Sequence, residues 1–273
     1  MIIDFHTHIF PEKIASRAIA SLEQKSKMRA HVSGVEASLR ASMDKSGVDL
    51  SIILPVVTNP HQFETVNRVA VETNEHTEET GLLSFGGIHP DNDNYREIIQ
   101  FLADHGCKGI KIHPVYQGVA IDDIRFLRII DCAEEYGLVT ITHAGLDIGF
   151  PGEEQSLPVH ICHMLDEIKP SRMVLAHMGG WGCWDQVMDH IIGRDVYLDT
   201  AFSTTSAPRE GAPLSMDLFT VMIQKHGADR IVMGSDSPWS DQLDSINAIK
   251  NCNIPEESIA KILGDNAKKL LQL

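Results

Sequence analysis

Eight short, nearly continuous apolar runs punctuate the chain, and stretches of helical spacing separate them. The first, residues 1–8 (MIIDFHTH), reads as a buried β-strand that ends in two imidazoles. Side chains on a strand alternate between faces, so His6 and His8 point the same way and can reach one cation. Asp4, two residues before His6, is expected on that same face, as a barrel-layer residue or as a partner behind the histidines. The other strand-like runs are residues 51–57, 83–89, 109–113, 138–143, 173–177, 196–199 and 230–236.

Between these runs the periodicity predicts helices over residues 62–80, 95–105, 122–136, 155–168, 184–192 and 213–226, with a closing pair at 241–250 and 256–271. The first connection holds two helices, 11–29 and 34–45, which is more than one crossover needs. Strands that are apolar along their whole length belong to parallel sheets covered on both faces. Eight of them alternating with helices predict a (β/α)8 TIM barrel rather than an open doubly wound sheet. No Gly-x-Gly-x-x-Gly follows the first strand, which weighs against a dinucleotide-binding sheet. A length of 273 residues suits one domain spanning 1–273.

In such a barrel the polar residues that end strands gather at the carboxyl rim. Here these are His6, His8, His89, Lys111, His113, His143, His177, Asp199 and Asp236. A net charge of -15 with no dense Lys/Arg run excludes nucleic acid and anionic membrane as natural partners and leaves a small-molecule substrate. The 5 cysteines contain no Cys-x-x-Cys pair and read as free thiols. The N-terminus has no basic stretch leading into an apolar one, and no apolar run is long enough to span a bilayer, so a cytoplasmic protein is expected. The pattern leaves monomer and homodimer both open.

The His-x-His of strand one, the histidines of strands five and six and the aspartate of strand eight resemble the amidohydrolase superfamily of metal-dependent barrels. The runs Asp-Phe-His-Thr-His, Gly-Ile-Lys-Ile-His-Pro, Ala-His-Met-Gly-Gly and Gly-Ser-Asp-Ser-Pro are similar to the branch that contains aminocarboxymuconate semialdehyde decarboxylase. The resemblance implies that His6, His8, His143 and Asp236 hold a divalent ion, zinc by ligand type, with manganese or iron as alternatives. It implies that Asp236 accepts a proton and that His177 polarises or protonates substrate. Lys111 has three readings: a carboxylated bridge between two ions, a free ammonium facing substrate, or a structural lysine paired with a carboxylate such as Asp4.

His113, Trp181 and Arg209 stand where substrate contacts are expected. Adenosine-type deaminases of this superfamily carry an acid just after the strand-five histidine, whereas Ala144-Gly145-Leu146 follow His143 here. The expected activity is hydrolysis of an amide, ester or lactone. The alternative is non-oxidative decarboxylation of an unsaturated or aromatic acid, which calls for cations around a carboxylate, and few arginines fall at the rim. A third reading, a barrel that binds ligand without turnover, leaves the ligand set together with His177 unexplained.

Overall fold

Strands buried on both faces must be covered from inside and outside at once, and closing the sheet on itself meets both demands. The computed structural model describes residues 1–208 and 213–273. Among the described residues the runs form eight strands: β1 Ile3–Thr7, β2 Leu50–Ile53, β3 Leu82–Ser84 resuming as Gly86–Gly87, β4 Gly109–Ile112, β5 Val139–Thr142, β6 Met173–Leu175, β7 Tyr197–Asp199 and β8 Ile231–Val232. Neighbours in sequence pair in parallel from β1 through β8. The ring closes where Phe5 N–H donates to the Met233 carbonyl at 2.8 Å and Thr7 bridges Ser237. The chain is therefore a (β/α)8 barrel.

Helices α1 Glu12–Ser26 and α2 Glu36–Ser46 precede β2. The later crossovers carry α3 Phe63–Asn74, α4 Tyr95–Asp104, α5 Ile124–Glu135, α6 Pro158–Ile168, α7 Trp184–His190 and α8 Met216–His226. After β8 come α9 Gln242–Lys250 and α10 Glu256–Ala260, which runs through a π turn at Lys261–Asp265 into α11 Asn266–Leu271. The helix expected over 62–80 is broken after Asn74 and resumes as one turn at Thr77–Thr80, and at the break the Asn74 side chain binds the neighbouring strand. It accepts from Ser84 N–H at 2.6 Å and donates to the Ser84 carbonyl at 3.0 Å, tying the helix end to β3. At the π turn a Cβ on Gly264 would lie 2.2 Å from the Met1 carbonyl, so glycine is what lets the last helix lie against the start of β1.

The barrel interior is apolar at its lower end. Ile3, Phe5, Leu50, Ile52, Phe85, Val139, Ile141 and Val174 fill it, and Leu270 and Leu271 of α11 close the bottom. Phe5 and Phe85 meet edge to face with ring centroids 5.8 Å apart. Gly109 leaves room for that pair, since a Cβ there would fall 2.4 Å from the Phe85 ring. Ile53, Leu82, Ile110, Ile112, Leu175 and Leu198 point outward into the layer shared with the helices.

Asp4 departs from the expected face. Its carboxylate accepts from Ser235 N at 2.9 Å, Ser235 Oγ at 2.5 Å and Gln242 Nε2 of α9 at 2.8 Å, all outside the barrel. The pairing of β1 with β2 shifts register between Asp4 and Thr7, and this bulge turns His6 to the interior beside Phe5. Asp4 therefore anchors the barrel wall to α9, and it meets His6 through the backbone, accepting the His6 N–H at 3.2 Å, and not through the imidazole.

One buried histidine far from the rim carries a pH prediction. His226 Nε2–H donates to the Val196 carbonyl at 2.9 Å and Nδ1 accepts from Gly193 N–H at 3.2 Å. Burial pulls its pKa down to about 4, against the opposing pull of the Val196 carbonyl. In the unfolded chain the value returns to about 6.5, so between these limits only the unfolded state takes up the proton. Stability is full above the upper value and falls by about 3 kcal/mol as pH drops to the lower one. His226→Gln keeps a donor without the titration, so urea midpoints of the variant should vary less between pH 6.5 and 4 than those of the wild type. Equal pH dependence in the two proteins would remove His226 from the acid response.

Candidate metal centre

Backbone direction at the strand ends decides which atoms meet over the barrel mouth. His6 is buried, and its Nδ1 lies 2.7 Å from Asp199 Oδ2 across the barrel. A carboxylate only accepts, so Nδ1 carries the proton and Nε2 presents a lone pair. His8 repeats this logic, with Nδ1 2.8 Å from the Leu54 carbonyl and Nε2 facing inward. The two Nε2 atoms stand 3.1 Å apart, and Asp236 Oδ1 lies 3.5 Å from the first and 3.2 Å from the second. Three electron-pair donors thus converge with no hydrogen to share.

Burial, followed by the field of Lys111, pushes the His6 pKa well below its ordinary value, so an extra proton does not relieve the clash. A divalent cation resolves the arrangement. Neighbouring donors around a tetrahedral ion with bonds of about 2.0–2.1 Å lie about 3.3 Å apart, which these three separations match. His6, His8 and Asp236 fit such an ion.

The second pair of histidines shows the same opposition. His177 donates from Nδ1 to the Ala201 carbonyl at 2.9 Å, and His143 donates from Nε2 to the Leu146 carbonyl at 3.2 Å. The remaining nitrogens, His177 Nε2 and His143 Nδ1, face each other at 3.2 Å. His143 thus meets His177 and groups with His113 and Asp147, while His6 belongs to two groups, one with His8 and Asp236 and one with His177 and Asp199. His113 stacks on His143 with centroids 4.3 Å apart and on Tyr116 at 4.0 Å, and its Nε2 lies 3.6 Å from Asp147 Oδ2.

Lys111 is 1% exposed and, among the described residues, has no hydrogen bond and no carboxylate within 4.0 Å. Burial lowers its pKa to about 8, against the attraction of Asp199 and Asp236. The acids that act on it are these two, and Asp4 is committed to Ser235 and Gln242. Trp181 is buried beside the strand-five loop, where its N–H donates to Ala144 and its carbonyl accepts from Leu146, both at 2.9 Å. Arg209 lies outside the described residues. His89 serves its own turn, with Nδ1 accepting from Asp91 N–H at 3.2 Å.

Two acids gained roles that the strand pattern did not assign. Asp199 holds His6 Nδ1 through one oxygen and accepts His177 N–H at 2.8 Å and Ala201 N–H at 3.0 Å through the other. Its place at the end of a strand was the available signal. Asp147 is buried four residues after His143, and burial raises its pKa to about 6 against the Gly149 N–H bond. An aspartate in a glycine-bearing loop one turn beyond a rim histidine was the signal for it. Backbone geometry sets both rim side chains apart: His177 sits at φ 57° and Asp236 at φ 68°, in the left-handed region.

Partners that fix a ligand's tautomer are worth 10–100-fold in metal affinity. Asp199→Asn should weaken zinc binding by about that factor in a chelator competition. An unchanged affinity would mean that Asp199 does not set the His6 donor.

The family described as Amidohydrolase matches residues 3–273. No functionally curated protein matches the chain in sequence. Among solved structures, 5-carboxyvanillate decarboxylase from Sphingomonas paucimobilis is similar, with TM-score 0.69, 16% identity and 100% and 99% of the two chains covered. The 2,6-dihydroxybenzoate decarboxylase complexed with 2,6-dihydroxybenzoate gives 0.73, 16%, 100% and 99%. A dihydroxybenzoic acid decarboxylase from Polaromonas with bound manganese and the inhibitor 2-nitroresorcinol gives 0.71, 17%, 100% and 97%. With the family matched over residues 3–273 and the barrel that the strands close, the chain belongs to the amidohydrolase family.

Proposed function

We propose that this protein is a metal-dependent, non-oxidative decarboxylase of an aromatic or unsaturated carboxylic acid. The observation that carries the reading is Lys111, a buried ammonium without a partner within 4.0 Å among the described residues, beside a one-ion ligand set. Burying an unpaired charge is costly, and the cost is recovered when a substrate anion arrives. A scarcity of rim arginines weighs against decarboxylation only if no other cation is present, and Lys111 is one. The decarboxylases among the similar structures support the same choice over hydrolysis, as does the manganese in one of them.

The reaction breaks the bond between a ring or vinyl carbon and its carboxylate, leaves the electron pair on that carbon, and needs one proton there as carbon dioxide departs. His6, His8 and Asp236 would hold a divalent ion, which when bound would supply Lewis-acid anchoring of substrate oxygens. Lys111 offsets the carboxylate charge on binding. His177 handles the proton: its Nδ1–H is committed to Ala201 and its backbone is pinned by Asp199, so a second proton taken from solvent onto Nε2, facing His143 Nδ1 at 3.2 Å, is the one it delivers to the carbon, returning to the neutral imidazole. Asp147 and His113 form the wall beside it, and Tyr116 stacks behind.

A second reading has its own observation. The facing lone pairs of His143 and His177 at 3.2 Å suit a second ion, and a carboxylated Lys111 would then bridge two metals in a hydrolase. Metal content separates the readings. The decarboxylase should hold about one zinc or manganese per chain, retained in Lys111→Met, and should release carbon dioxide from hydroxybenzoate-type acids. His177→Asn should cut that release by about 10²–10⁴-fold, the range for a positioned acid or base. Two ions per chain, one lost in Lys111→Met, with turnover of amides or lactones and no carbon dioxide, would replace decarboxylation by hydrolysis.

A further inference from the structure

A second histidine–carboxylate cluster stands outside the barrel mouth. Asp122 ends the loop that follows β4 and enters α5, while His160 and His163 occupy the first two turns of α6. Residues three apart on a helix share a face, so both imidazoles lean toward the neighbouring helix start. His160 Nδ1 lies 3.0 and 2.9 Å from the two Asp122 oxygens, and His163 Nδ1 lies 3.1 Å from Oδ2. The two rings stand at 90° to one another, and the three donor atoms all lie within 4.8 Å of each other. Exposure rises across the cluster, with Asp122 at 20%, His160 at 33% and His163 at 64%, which keeps one side open to water.

We propose that Asp122, His160 and His163 form an outer binding site for a divalent transition ion of the zinc type, with water completing the coordination. Two imidazole nitrogens and a carboxylate oxygen suit zinc, and the donor separations lie close to the about 3.3 Å expected around a tetrahedral ion. Binding moves each imidazole proton from Nδ1 to Nε2, which faces away from the carboxylate, so each ring gives up no donor overall. The site joins two loops that shape one wall of the inner centre. The loop ending at Asp122 begins with His113 and Tyr116, and the loop that begins at His143 and Asp147 ends at α6. Ile121 N–H already donates to the Gln155 carbonyl at 2.9 Å between these loops. An ion at Asp122 ties their far ends and stiffens that wall.

The test is equilibrium dialysis of the metal-loaded protein against micromolar zinc, with metal counted by plasma mass spectrometry and melting temperature measured in parallel. Wild type should take up one zinc beyond its inner complement and melt higher. His163→Gln should lower the affinity for that added ion at least tenfold and lose the rise in melting temperature, with Asp122→Asn behaving alike. His8→Ala should keep the added ion, which separates this site from the inner one. Equal uptake by wild type, His163→Gln and Asp122→Asn would overturn the proposal, as would loss of the added ion in His8→Ala alone.

Discussion

A single carboxylate, Asp199, sets the chemistry of the rim. One of its oxygens fixes the His6 tautomer across the barrel, and the other takes the backbone N–H of His177. Without that anion, His6 would be free to turn its protonated nitrogen inward, and the convergence with His8 and Asp236 would become an ordinary hydrogen bond. Burial raises the pKa of Asp199 and so works against its charge, while His177, its own backbone donors and Lys111 work to keep it. The inner site is thus a balance of buried charges in which each group is held in its working form by its neighbours.

The barrel was readable because parallel strands covered on both faces leave long apolar runs, and the structure follows each run to within a few residues. The rim followed from the same runs, since their last polar residues are where strands end. Two features needed the fold. The bulge between Asp4 and Thr7 depends on how β1 pairs with β2, and pairing leaves no trace in strict alternation. Alternation alone put Asp4 beside His6, whereas Asp4 faces Gln242 on a helix more than two hundred residues away. Asp147 was hidden for a different reason: its position is fixed by a loop turn, held by Gly149 N–H at 2.7 Å, and not by strand periodicity.

Lys111 limits what a count of arginines says about the rim. Few arginines fall there, yet a lysine buried in a low-dielectric site exerts a stronger field than several exposed arginines would. That field reaches His6 and is felt inside a chain whose net charge is -15.

His177 and Asp236 both sit with positive φ, a backbone state that costs a side-chain-bearing residue about 1–3 kcal/mol. Glycine would adopt it freely, so the chain gives up folding free energy at two positions to keep an imidazole and a carboxylate where they are. Selection for thermal resistance alone would therefore drift toward glycine at these two strand ends, improving the scaffold while emptying the barrel mouth of the imidazole of His177 and the carboxylate of Asp236.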